Sequence, residues 1–241
     1  MAAVLITGAA GHIGFALVRH YAAQGWRVYA TCLAGDRTPA FESFVRAHAA
    51  DVEAHDLDIT DGAAIAALAQ RLAGHSIDVL FNVAGVTTEA DLVFGQTDYD
   101  LWDTYFAVNT KGPMRMCEAF APHVCAGEKK VMVTISSRIG ATPGYGFVGY
   151  RASKSAVSQI MFQVGLALRD QGVIAIACHP GWVITAANRG KGALTPEQSA
   201  AMLCDVVANL RPEDNGKFFD PDGTTLPLVT QQTAKKPYAL T

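Results

Sequence analysis

Tyr150 and Lys154 stand four residues apart in the run YRASK, within a stretch that reads as a long helix, so both side chains project from one face. A phenol ordinarily titrates at about 10, and an ammonium beside it would lower that value toward the range of a general acid or base at neutral pH. Ser137 lies at the end of an expected strand upstream of Tyr150. A hydroxyl there could hydrogen-bond a substrate oxygen, or it could simply close a strand-end turn. Asn109 falls between Val108 and Thr110 inside a helical stretch. Asparagine competes there with backbone hydrogen bonds, so the position reads as a kink with an internal polar role or as a half-exposed helix residue.

A second constellation is TGAAGHIG, with Gly8, Gly11 and Gly14 three apart and His12 and Ile13 between the last two. It follows a short uncharged run, Ala2 to Thr7, and precedes a helical stripe. Glycines at a strand-to-helix turn let the backbone approach a pyrophosphate, and the free N–H groups and dipole of the helix favour its charge. The same glycines also serve a tight turn and a close helix contact without any ligand.

These residues need a scaffold, and the chain supplies a regular rhythm. Strands are expected at Ala2–Thr7, Trp26–Leu33, Val52–Leu57, Ile77–Val83, Lys130–Ser136, Val173–Cys178 and Phe218–Phe219. Helical periodicity falls between them: Ile13 to Tyr21, Phe41 to His48, Asp61 to Leu72, Tyr105 to Pro122, and a long helix from about Phe147 to Gly172. Thr87 to Asp103 reads as a polar, acidic stretch, and a polar tail follows Phe219. Alternation of this kind predicts a single-domain α/β fold, a doubly wound parallel sheet with helices on both faces. Residues 185–196, rich in Gly, Ala and Thr, are expected to form a substrate lid.

The 241 residues suit one domain with one sizeable core. Half are hydrophobic and 17% charged, which excludes a disordered chain. A formal charge of −3, with no basic block, argues against nucleic acid or an anionic membrane as partner and toward a small molecule. Five scattered cysteines form no CxxC pair, and no apolar run approaches the roughly 20 residues of a spanning helix, so a cytoplasmic location is expected. His123 and His179 have no second ligand at metal spacing, so no metal is expected.

TGAAGHIG, the NVAG of Asn82 to Gly85, Asn109, Ser137, YRASK and the HPGWV of His179 to Val183 together make the chain resemble the short-chain dehydrogenase/reductases of the classical length class. ISSRIG, HPGWV and EDNGKFFDPDG (Glu213 to Gly223) are most similar to the carbonyl-reductase-like branch that includes the C-factor proteins. The resemblance implies a Rossmann-type fold and NAD(P)-dependent interconversion of a carbonyl and an alcohol by hydride transfer. It implies Tyr150 as general acid/base, Lys154 lowering its pKa and binding the nicotinamide ribose, Ser137 orienting the reacting oxygen, and Asn109 holding a relay water. It also implies cofactor contacts at Asp58 and Ile59, at Asn82, Ala84 and Gly85, and at Pro180, Gly181, Val183 and Thr185.

Two features depart from the family pattern. The glycine spacing is that of longer, epimerase-like members, with His12 where glycine is usual, and Val83 replaces an asparagine. At the end of the second strand Cys32 and Leu33 carry no group for the adenine ribose. Asp36 could accept from its diol and Arg37 could meet a 2′-phosphate, so both NAD and NADP stay open. Ile139, Tyr145, Phe147 and Trp182 could wall an apolar pocket for an apolar or aromatic substrate. A homodimer or homotetramer packed through long helices is expected from the resemblance. A non-catalytic NAD(P)-sensing protein and a nucleotide-sugar epimerase or dehydratase are the alternatives.

Overall fold

The structure is a computed structural model that describes residues 1–88, 95–186 and 189–228. Parts of the stretch 87–103, of the segment 185–196 expected as a lid and of the polar tail therefore lie outside the described residues. The first half alternates strictly: β1 (Ala3–Thr7), α1 (His12–Ala23), β2 (Arg27–Cys32), α2 (Pro39–Ala47), β3 (Val52–Asp56), α3 (Gly62–Arg71) and β4 (Val79–Asn82). Then come α4 (Tyr99–Phe106), α5 (Gly112–Cys125), β5 (Val131–Ile135), the single turn α6 (Arg138–Ala141), and α7 (Val148–Leu168). The chain continues through β6 (Ile174–Cys178), α8 (Pro196–Ala208), β7 (Phe218–Phe219) and β8 (Thr225–Leu226).

The sheet order is β3-β2-β1-β4-β5-β6-β7-β8, parallel throughout except for β8, which pairs antiparallel with β7 at the edge. Strand order reverses between β1 and β4, and the carboxyl ends of those strands therefore open a crevice. The two-residue period of the strands sorts the core into two layers. Val4, Ile6, Val79, Phe81, Val131 and Val133 face α1, α2 and α8, where Leu17, Phe41 and Leu203 pack. Leu5, Leu80 and Met132 face the other way, onto Ile65, Phe120 and Met161 of α3, α5 and α7.

Four features differ from the sequence expectation. Helix begins at Tyr99, inside the stretch expected to be loop, because the Asp98 carboxylate accepts from the Leu101 amide and caps it. A π-helical segment at 107–111 then separates α4 from α5, so the expected uninterrupted helix is two helices joined by a wide turn. The turn α6 and edge strand β8 are too short to carry a periodic signal. Pro196, expected as the last residue of the segment 185–196, already belongs to α8 under a capping box of Thr195 and Gln198.

The glycine turn has structural work to do. Gly8 has φ +64°, and a Cβ there would sit 2.8 Å from the Ala84 backbone. A Cβ on Gly14 would collide with the Gly8 carbonyl. Neither strand-to-helix contact closes with a side chain in place. Gly14→Ala should therefore lower the unfolding free energy by about 1–3 kcal/mol through overpacking. Gly35→Ala, where an added Cβ meets nothing within 4 Å, should change it by less than about 0.5 kcal/mol; urea unfolding of both variants checks the contrast.

Candidate active site

β5, α6 and α7 bring the reactive side chains together. Ser137 caps α6 directly after β5, its hydroxyl accepting from the Ile139 amide at 3.4 Å. Tyr150 and Lys154 lie on the first turns of α7, as their spacing requires, and Tyr150 hydrogen-bonds with Ser137. Lys154 is 4% exposed, and its ammonium donates to the Ile135 carbonyl at 2.9 Å while lying 5.8 Å from the Tyr150 ring centre.

Asn109 is 1% exposed, in the π-helical turn. The extra residue in that turn directs its amide inward, where Oδ1 accepts from the Val86 amide at 2.8 Å. Its Nδ2 donates to the Val86 carbonyl (2.9 Å) and to the Ser153 hydroxyl (3.2 Å). Asparagine is thus the lock between the β4 end and α7, and the half-exposed reading does not hold. Gly85 faces the gap between these groups: a Cβ there would stand 3.1 Å from Asn109 Oδ1 and 3.4 Å from Lys154 Nζ.

The electrostatics correct one expectation. Lys154 does not lower the phenol of Tyr150 in the free protein. Burial pushes Tyr150 up to about 12, with the Ser137 hydrogen bond lowering it and the neighbouring Tyr105 raising it. Burial also pulls Lys154 down to about 8. Both shifts have one origin, the withdrawal of water from the floor of the site, and both favour the uncharged form. His179 is brought down to about 4 by burial and is neutral at pH 7.

Two cavities adjoin here, sharing Ile13, Val83, Gly85, Val86 and Thr185. One, of about 510 Å³, contains Ser137, Tyr150 and Lys154. Ile139, Phe147 and Trp182 wall it as expected. Phe147 adopts a left-handed conformation (φ 55°), and Arg151 holds its loop by donating to the Gly146 and Ile139 carbonyls at 2.9 and 2.7 Å. Tyr145 is 84% exposed and lies off this cavity, because the loop turns it outward before Gly146. Pro180, Gly181 and Val183 lie on this side, and Thr185 borders both cavities.

The second cavity, about 370 Å³, runs over the carboxyl ends of β1, β2 and β4. It is lined by Gly8, Gly11, His12, Ile13 and Gly14, then by Leu33 and by Asp58 and Ile59, and it reaches Ala84 and Gly85. The fit to a dinucleotide is geometric. α1 starts at His12 with Gly11 as its cap and no side chain occupying the free amides, and the glycines leave the backbone bare. Two expected contacts are absent. Asn82 is 1% exposed and spends its amide on Thr134 (3.3 Å) and Cys117, inside the sheet. Arg37 is paired with Asp56 at 2.6 Å and does not line the cleft, whereas Asp36 and Cys32 do.

Sequence reasoning also missed Tyr105. It is fully buried, its hydroxyl is 3.2 Å from the Thr88 amide, and its ring meets Tyr150 edge-on at 5.9 Å. A tyrosine on the core stripe of a helix carries no separate signal for such a contact.

A family model described as short chain dehydrogenase matches residues 2–194. The chain belongs to that family and is an NAD(P)-dependent oxidoreductase of carbonyl and alcohol groups on small molecules. It is 35% identical to 1-hydroxy-2-glutathionyl-2-methyl-3-butene dehydrogenase of Rhodococcus sp., over 94% of this chain and 99% of that one. It is 32% identical to an uncharacterized oxidoreductase of Schizosaccharomyces pombe, over 92% and 96%. NADPH-bound carbonyl reductase from chicken fatty liver superposes with a TM-score of 0.83 at 25% identity, covering 94% of this chain and 98% of that one. No helix among the described residues is long and apolar enough to cross a membrane.

Lys154→Met should raise stability at pH 7 by about 1–3 kcal/mol, since a buried charge with one partner is replaced by a thioether of similar length. Because the folded protein releases this proton at about 8 and the unfolded chain at about 10.5, the wild type gains stability as pH rises between those values. The advantage of the variant should shrink over the same interval, which melting temperatures across pH 7–10.5 would show.

Proposed function

We propose that Tyr150 acts as the general acid in carbonyl reduction, with Ser137, Lys154 and Asn109 completing the catalytic set. The observation that carries this reading is the Ser137–Tyr150–Lys154 cluster on the wall of a cavity that shares Gly85 and Thr185 with the glycine-lined cleft. When bound, the nicotinamide cofactor supplies or accepts the hydride. Ser137 holds the substrate oxygen beside the Tyr150 hydroxyl, and that hydroxyl hands its proton to the oxygen as the alcohol forms. A phenol held at about 12 is fully protonated at neutral pH, which suits reduction. Lys154, fixed by the Ile135 carbonyl, places positive charge under the phenol as negative charge develops there. Gly85 keeps the space between Asn109 and Lys154 open for a water that restores the proton Lys154 gives to the Tyr150 phenolate.

Of the two ribose candidates, Asp36 borders the cleft and Arg37 is occupied by Asp56. This favours the diol of NAD over the 2′-phosphate of NADP. The apolar wall of Ile139, Phe147 and Trp182 suits a substrate with an apolar or aromatic body, and residues 185–196 serve as its lid. Five free thiols fit a reducing, cytoplasmic compartment. Stacked rings of Tyr99, Trp102 and Phe106 along α4 supply a face for a homodimer.

Tyr150→Phe should lose about 10²–10⁴-fold in turnover while retaining cofactor affinity; retained turnover across a panel of aldehydes and ketones would overturn the assignment. For the wild type, kcat/KM for reduction should stay level below pH 8 and fall above it as Lys154 loses its proton. NADH should outperform NADPH in kcat/KM, and Asp36→Ala should narrow that ratio. A preference for NADPH in the wild type would refute the ribose assignment.

A further inference from the structure

Ile139, on α6, and Phe147, at the cap of α7, both wall the substrate cavity. The chain between them has carbonyls to satisfy and a costly conformation to hold. Gly146 (φ 73°) and Phe147 (φ 55°) are consecutive left-handed residues, and only the first is a glycine. One side chain meets both needs. Arg151 Nε donates to the Gly146 carbonyl at 2.9 Å, and Nη1 donates to those of Ile139 and Thr142 at 2.7 and 2.9 Å. The Arg151 amide donates to the Phe147 carbonyl at 2.7 Å, so both limbs of the loop converge on one residue. The guanidinium lies so close to the loop backbone that a Cβ on Gly144 would collide with it.

A guanidinium presents its N–H donors as a rigid planar fork, which can span both limbs at once where the compact ammonium of lysine cannot. Arg151 lies off both cavities, so it acts on a ligand only through the walls it holds. The turn after Ser137 has a tie of its own. The Ser155 hydroxyl donates to the Gly140 carbonyl, and a Cβ on Gly140 would stand 2.8 Å from the Ser155 amide. That contact keeps α6, and Ser137 before it, against α7 without help from the arginine. What depends on Arg151 is the far limb, with Phe147 at its end.

We propose that Arg151 is a positioning residue for substrate selection: its guanidinium fixes Phe147 against Ile139 and so shapes the pocket that receives the body of the substrate. This deepens the reduction reading and rests on its apolar wall. Walls held in place before binding strengthen the binding of substrate and transition state alike, and the proton transfer at Tyr150 is left as it was. Loss of the clamp is therefore read in KM and not in kcat.

Two variants open the clamp by independent routes while keeping the positive charge: Arg151→Lys removes the fork, and Gly144→Ala displaces it. In each, chymotryptic cleavage after Tyr145, followed by fragment mass, should run about tenfold faster as the limb is released. 4-Methylbenzaldehyde titrated calorimetrically into enzyme saturated with oxidised cofactor should bind about tenfold more weakly in both. Affinity for the cofactor itself should stay within about twofold. With reduced cofactor, KM for the aldehyde should rise by a similar factor and kcat should change by less than about threefold. Cleavage at the wild-type rate, equal aldehyde affinity in wild type and variants, or no saturable aldehyde binding to the wild type overturns the proposal. So does full wild-type affinity in Arg151→Lys, which would reduce the role to charge, or a loss confined to kcat. Aldehyde binding that weakens in both variants, with no turnover by any of the three proteins, would sink the reaction assignment and leave the clamp standing.

Discussion

The amine of Lys154 is buried and donates to a backbone carbonyl, and the organisation of the site follows from how that unfavourable placement is maintained. The Ile135 carbonyl is available only because β5 ends there, and the lysine reaches it only because α7 starts after a left-handed turn at Phe147. The helix is locked from behind by hydroxyls: Ser136 and Ser158 both donate to the Lys154 carbonyl, and Thr110 donates to that of Ser153. A dry floor also explains the paired shifts, since the same loss of water holds the phenol protonated and the ammonium ready to release its proton.

From this floor the elements diverge toward two chemistries. The carboxyl ends of β1 and β4 open a cleft whose walls are backbone and glycine, suited to a ligand recognised by its phosphates and shape. The loops after β5 and β6 open a cavity walled by Ile139, Phe147 and Trp182, suited to a ligand recognised by its apolar surface. Asn109 and Gly85 sit on the seam. The π-helical turn stabilises the seam at some cost to helix regularity, a common use of such turns near functional sites.

Much of this was legible in the chain. Short apolar runs alternating with stretches of helical period led to the doubly wound sheet, because parallel strands need crossover connections between them. The four-residue spacing of Tyr150 and Lys154 required a shared helix face, and asparagine within a helical run pointed to the kink at Asn109. The start of α4 was missed because its cap, Asp98, stands in an acidic stretch that reads as loop.

What the tertiary structure alone decided was environment. Spacing places an ammonium beside a phenol but says nothing of the water around them, and it was burial, acting through residues distant in sequence, that raised the phenol instead of lowering it. Spacing likewise offers Asp36 and Arg37 as equals, and only the approach of Asp56 from the neighbouring strand removed Arg37 from the cleft. Tyr145 and Trp182 are both aromatic residues near the site, yet one turns outward and the other walls the cavity, a difference set by backbone direction within their loops. Local pattern determines which elements form and which faces residues share; desolvation, partners and the convergence of distant loops exist only once the chain is folded.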